Sequence, residues 1–224
     1  MKTSLKVMVV AVATMVSGAV SLAQTTVTPG LDLYSTYLWR GSKIDGPSAQ
    51  PSLVVKNGGL TVGTWGSFGL ASSYSEIDFY VSYAFEFGLS LGVTDYYYPT
   101  LNADGYSAFE FSKDSGAHAI EANVGYTLDK FTLSANYIFN EAAAAASTGG
   151  DKYFEASYAF ESFSLFVGAG DGWHTKDTKF ALCNIGAKAT KEIKVSDSFS
   201  IPVTGVLMIN PDKELISLGV GISF

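Results

Sequence analysis

Hydrophobic residues alternate with small or polar ones along most of this chain. The alternation is most regular at 215–224, where Ile216, Leu218, Val220, Ile222 and Phe224 are separated by Ser217, Gly219, Gly221 and Ser223. Period two gives a β-strand one apolar face and one small, polar face. The same pattern predicts a strand over 31–40, with Leu31, Leu33, Tyr37 and Trp39 on one face and Asp32, Tyr34, Thr36 and Arg40 on the other, after a loose lead-in at 24–30. A polar loop at 41–47 leads to a strand through Pro51, Leu53 and Val55. Asn57-Gly58-Gly59 then turns the chain into a third strand at 60–68, since Asn and Gly tolerate positive φ.

A hairpin unit recurs at 82–89, 125–133 and 157–165: an alternating strand, a very short acidic turn, and a return strand opening on Phe. Longer loops are expected at 70–75, 99–116, 141–150 and 172–179, and later strands at 180–190, 199–209 and 214–224. The Ala-rich stretch 141–147 reads as a flexible spacer, too short for a stable helix. The expected fold is all-β: a single antiparallel up-and-down transmembrane β-barrel of about 12 strands, with short turns at one rim and long loops at the other.

Aromatic positions follow the same plan. Phe85, Phe87, Phe131, Phe160, Phe163, Phe199 and Phe224 lie beside the short turns, and Trp39, Phe68, Tyr97, Phe139 and Trp173 lie at the other strand ends. Two interfacial girdles are therefore expected. Asp95 and Asp171 depart from the pattern by continuing the apolar register; an interface position or a bulge would accommodate them.

Composition sharpens the class. Charged residues are only 16%, yet no run of eighteen apolar residues occurs, so dispersed barrel strands fit where a helical membrane protein does not. Lys2 and Lys6, the apolar run 7–16 and Ser21-Leu22-Ala23 predict a signal peptide at 1–23, cleaved before Gln24, with the barrel occupying 24–224. A net charge of −7 argues against nucleic acid as a partner. Cys183 is the sole cysteine, which removes any disulfide framework, and its expected place is a small apolar position on a strand. With His118 and His174 the only histidines, no metal, cofactor or catalytic constellation is expected, and no enzyme activity is assigned.

The inward register carries the informative chemistry. Asp32, Tyr34, Arg40, Trp65, Glu76, Asp78, Tyr80, Glu121, Asn123, Glu155 and Lys188 are expected to line the lumen, with Lys56 a further inward cation. Twelve strands about 4.8 Å apart and tilted near 40° give a backbone diameter of about 24 Å, from which side chains remove about 10 Å. That space holds water unless Tyr34, Trp65, Tyr80 or the loop 99–116 folds inward.

Tyr34-Ser35-Thr36-Tyr37-Leu38-Trp39-Arg40-Gly41, Gln50-Pro51, Gly63-Thr64-Trp65-Gly66-Ser67 and Val93-Thr94-Asp95-Tyr96-Tyr97 resemble recurring stretches of the TorF-type porins. The resemblance implies a small Gram-negative outer-membrane barrel and suggests a porin; it carries over no ligand or catalytic residues. The terminal strand, with Leu218, Val220, Ile222 and Phe224, is similar to those that barrel-assembly machinery reads in bacterial outer-membrane proteins. Outer-membrane lipid, lipopolysaccharide and that machinery are the implied partners. Two readings stay open: inward acids lining a narrow channel with weak cation preference, or the same charges pairing across a filled lumen in a closed scaffold.

Overall fold

The computed structural model describes residues 25–99 and 108–224; the expected signal peptide and part of the loop 99–116 lie outside the described residues. In chain order the strands are β1 (Thr26–Tyr34), β2 (Tyr37–Trp39), β3 (Ser42–Asp45), β4 (Ser48–Asn57), β5 (Leu60–Gly69), β6 (Ser75–Ala84), β7 (Leu89–Tyr97), β8 (His118–Leu128), β9 (Phe131–Ile138), β10 (Glu141–Ala142), β11 (Ser147–Thr148), β12 (Lys152–Ala159), β13 (Ser164–Gly170), β14 (Ala181–Lys194), β15 (Ser200–Asn210) and β16 (Leu215–Ser223). Twelve of them close an antiparallel barrel in the order β1-β16-β15-β14-β13-β12-β9-β8-β7-β6-β5-β4, while β2-β3 and β10-β11 are separate two-stranded ladders.

Alternation explains why these segments pair. On β16, Ile216, Leu218 and Val220, and just past it Phe224, are exposed on the outer face, while Gly219 and Gly221 face Leu38 and Tyr34 within. Closure joins Asp32, Leu33 and Tyr34 to Ser223, Ile222 and Gly221, extended by reciprocal backbone bonds between Leu31 and Phe224. The turn after β4 is as short as expected, with Gly58 at φ 56°. Short connections gather at one rim, where Phe85 lies against Phe87 and Phe160 stacks on Phe163 at 4.7 Å.

Several expectations need correction. The first barrel strand runs from Thr26 to Tyr34 rather than over 31–40, because the supposed lead-in pairs with β4 along its whole length, from Thr26↔Lys56 to Tyr34↔Ser48. Beyond Tyr34 the chain leaves the wall and folds back as the β2-β3 hairpin. β14 runs four residues past its expected end at Thr190, paired there only with β15. The segment 141–148 is a β10-β11 ladder enclosing one 3₁₀ turn, and Ala142 and Ala145 are buried against Tyr96, Ala119 and Ile138, so it packs instead of serving as a spacer.

The girdle at the long-loop rim also differs from expectation. Phe68 and Phe139 are exposed there, but Trp39 and Trp173 meet each other at 6.3 Å beside Tyr96 and Tyr98. Tyr97 is buried beneath His118. The two out-of-pattern acids resolve differently. Asp95 faces outward and accepts from His118 Nδ1, at 3.0 Å to each carboxylate oxygen, while Tyr97 and Phe111 sandwich the imidazole. Asp171 lies just past the end of β13 and accepts the Lys152 backbone N–H at 2.6 Å.

Candidate functional site

The site is built by the β2-β3 hairpin. Its tip is Arg40-Gly41, with φ 44° and 83°, a left-handed pair that brings the backbone round tightly. Gly41 is required by space as well: a Cβ there would lie 1.8 Å from the Cys183 carbonyl oxygen. Cys183 is the extra residue where the β13-β14 register shifts between Gly168 and Ala169, so the bulge presents this carbonyl at the tip's seat. Asn210 Nδ2 donates to the Gly41 carbonyl at 3.2 Å and to that of His174 at 3.3 Å.

Arg40 anchors the hairpin to the far wall. Its guanidinium donates to both oxygens of Glu121, at 2.6 and 2.9 Å, in the bidentate geometry that planar guanidinium and carboxylate groups favour. It also lies 4.6 Å from the Trp39 ring centre and 4.7 Å from that of Tyr153. Glu121 accepts further from Tyr96 Oη at 2.9 Å and Asn123 Nδ2 at 2.6 Å, so its charge is fully compensated although it is 1% exposed. Beside it, Tyr153 donates to Glu155, and Asn184 Nδ2 donates to Tyr153 Oη and Glu155 Oε2.

The hairpin divides the lumen. Below it lies a cavity of about 580 Å³, lined among others by Asp32, Tyr34, Trp65, Asp78, Glu155 and Lys188. Toward the long-loop rim lies a second, of about 330 Å³, lined by Glu76, Tyr74, Tyr98, Trp173 and Lys213. Tyr37 and Trp39 border both.

Of the residues expected inside, Asp32, Tyr34, Trp65, Asp78, Glu155 and Lys188 line the lower cavity from barrel strands, and Glu76 borders the upper one. Glu121 and Asn123 belong to the hydrogen-bonded wall, and Tyr80 packs over Gly63. Arg40 is inside by another route, from the folded-in hairpin instead of a strand. Lys56 pairs with Thr26 and Thr61 near the short-turn rim, away from both cavities. Composition gave no signal for Asn184, Asn210 or the buried His174.

Around the upper cavity, burial dominates the chemistry. Burial, reinforced by the Glu76 carboxylate, holds the Tyr74 and Tyr98 phenols well above their ordinary pKa, so they remain donors, and Tyr74 Oη reaches Glu76 Oε2 at 2.7 Å. His174 is 1% exposed; burial, with Arg40 and Lys213 nearby, pushes it down to about 3. Its imidazole is therefore neutral at physiological pH and packs between Trp39 and Tyr153, at 5.1 and 4.9 Å.

A family model described as a bacterial protein of unknown function (Gcw_chp) matches residues 18–199. The chain belongs to the Gcw_chp family. No curated protein matches it. The Gcw_chp match takes in the hairpin, Glu76, Asp78, Glu121 and Glu155, while the last two strands, with Met208, Asn210 and Lys213, lie beyond it.

Proposed function

We propose that this chain is a narrow outer-membrane porin whose first long loop forms a septum across the lumen, leaving a passage that favours cations. The observation that carries this reading is the pair of cavities on either side of the hairpin, with Glu76, Asp78, Asp32 and Glu155 beside them against Lys188, Lys213 and an Arg40 already committed to Glu121. Fixed negative charge in a confined space raises local cation concentration, an effect that salt screens over about 10 Å at 0.1 M. The TorF-type likeness, the short-turn girdle and the exposed apolar register support a place in the outer membrane, with lipid, lipopolysaccharide and assembly machinery as partners. On this reading the protein moves solutes and performs no catalysis.

The hairpin's fit against the far wall favours a second reading, a closed barrel used as scaffold. Purified protein in a planar bilayer separates the two. The porin reading expects small cation-selective conductance steps whose reversal potential under a KCl gradient fades at high salt. Silence from both wild type and an Arg40→Ala variant would establish the scaffold.

A further inference from the structure

The two acid-bearing walls of the lumen are not equivalent. On β8, Glu121 has its cation, supplied by the hairpin. On β6, Glu76 and Asp78 stand two residues apart on the inward face, 3% and 8% exposed, and among the described residues neither forms an ion pair. An ionised carboxylate out of water is strongly disfavoured unless paired or hydrogen-bonded. Glu76 is served by the Tyr74 phenol. Asp78 shares a hydrogen bond with Glu76 itself, and its Oδ1 is buried without any partner.

A second buried oxygen points to the same place. Ser67 lies on β5 directly across from Glu76, as Trp65 lies across from Asp78. Its side chain is 0% exposed and its Oγ has no partner. Glu76 borders the upper cavity and Asp78 the lower, and the hairpin's Tyr37, packed on Trp65 at 5.4 Å, borders both. Successive same-face residues on a strand are about 6.6 Å apart, a short step for an ion.

We propose that Ser67, Glu76 and Asp78 form a binding step for a small monovalent cation, either a dehydrated alkali ion or the head of a primary ammonium. It occupies, on this wall, the role that the Arg40 guanidinium fills on the other. Asp78 Oδ1 and Ser67 Oγ are the open oxygens, too few for calcium, which takes six to eight. The proposal rests on the porin reading for its purpose but not for its test.

The test is thermal unfolding of the folded, detergent-solubilised barrel at fixed ionic strength in KCl, NaCl, methylammonium chloride, CaCl₂ or tetramethylammonium chloride. The small monovalent cations should raise Tm by about 2–5 °C over tetramethylammonium, with the alkali and methylammonium arms showing which source binds better. Asp78→Asn should abolish that increment and Ser67→Ala reduce it; Ser67→Ala also serves if the Asn variant fails to fold. Equal stabilisation by tetramethylammonium, a larger gain from calcium, or an increment retained in both variants would overturn the site. Bilayer recordings separate the two readings. A non-conducting barrel with an Asp78-dependent increment keeps the site and sinks the porin, whereas cation-selective conduction indifferent to both variants does the reverse.

Discussion

The β8 wall and the β6 wall each turn carboxylates into the barrel, but only the former meets a guanidinium. Glu121 is fixed by two charge-assisted bonds from Arg40 and by two further donors, and it holds the hairpin across the lumen. Glu76 and Asp78 are hydrogen-bonded but form no ion pair among the described residues, and they border open space. A carboxylate locked to a cation is structural cement, while one with no cation beside a cavity is available to something that arrives. Position on an inward register does not distinguish these roles; the partner does.

Breaking the compensated side should have the largest effect. Arg40→Ala leaves Glu121 buried without its cation, which costs about 3–5 kcal/mol for a buried pair. It should also free the hairpin, lowering the melting temperature and raising single-channel conductance several-fold. Gly41→Val should do much the same from the other end of the seat, costing about 2 kcal/mol or more through the clash with the Cys183 carbonyl and the left-handed backbone. Conductance close to wild type in both variants would show that the hairpin does not limit flow.

The packing behind Arg40 has its own pH signature. His174 has a folded pKa of about 3 against an ordinary 6.5, so the unfolded chain binds the extra proton. Its contribution is complete above about pH 6.5 and declines as pH falls toward 3, reaching a loss of about 2 kcal/mol by pH 5. His174→Gln should flatten that part of the acid limb in melts between pH 7 and 5. An unchanged slope would place the acid sensitivity elsewhere.

The smallest effect sharpens the contrast most. Asp78→Asn, in buffer free of small cations, should change stability by no more than about 1 kcal/mol, because it strands no cation and the amide can still hydrogen-bond Glu76. Glu121→Gln should cost more, since it strands Arg40. Melts of the two variants side by side test whether the walls differ as described.

Most of the wall was legible because a barrel strand advertises itself locally: alternation, an Asn-Gly turn and aromatics at the ends require no distant information. The hairpin was not. Tyr37 and Trp39 continue the alternation of Leu31 and Leu33, so the departure after Tyr34 reads as more strand, and what draws the segment inward is Glu121, 81 residues away. Trp39 and Trp173 were placed in a girdle for the same reason, since an aromatic at a strand end looks alike whether it faces lipid or another tryptophan. Asp95 was recognised as a misfit, but its partner His118 lies across a loop. Arg40 followed at once by Gly41 was the local clue to a tight tip, and it pointed to a turn without saying where the turn goes.

The seat of the hairpin also sets an order of events during folding. The segment follows the first barrel strand, yet its tip is held by Glu121, by the bulge at Cys183 and, 169 residues from Gly41, by Asn210. Contacts across such sequence separations form only after the intervening chain has been gathered. An early-emerging piece must therefore wait for the fifteenth strand before it can dock, and until then the nascent barrel has no septum. Stopped-flow quenching of Trp39, followed in a variant carrying Trp65→Phe and Trp173→Phe so that it is the sole tryptophan, should accordingly lag behind the appearance of β-structure.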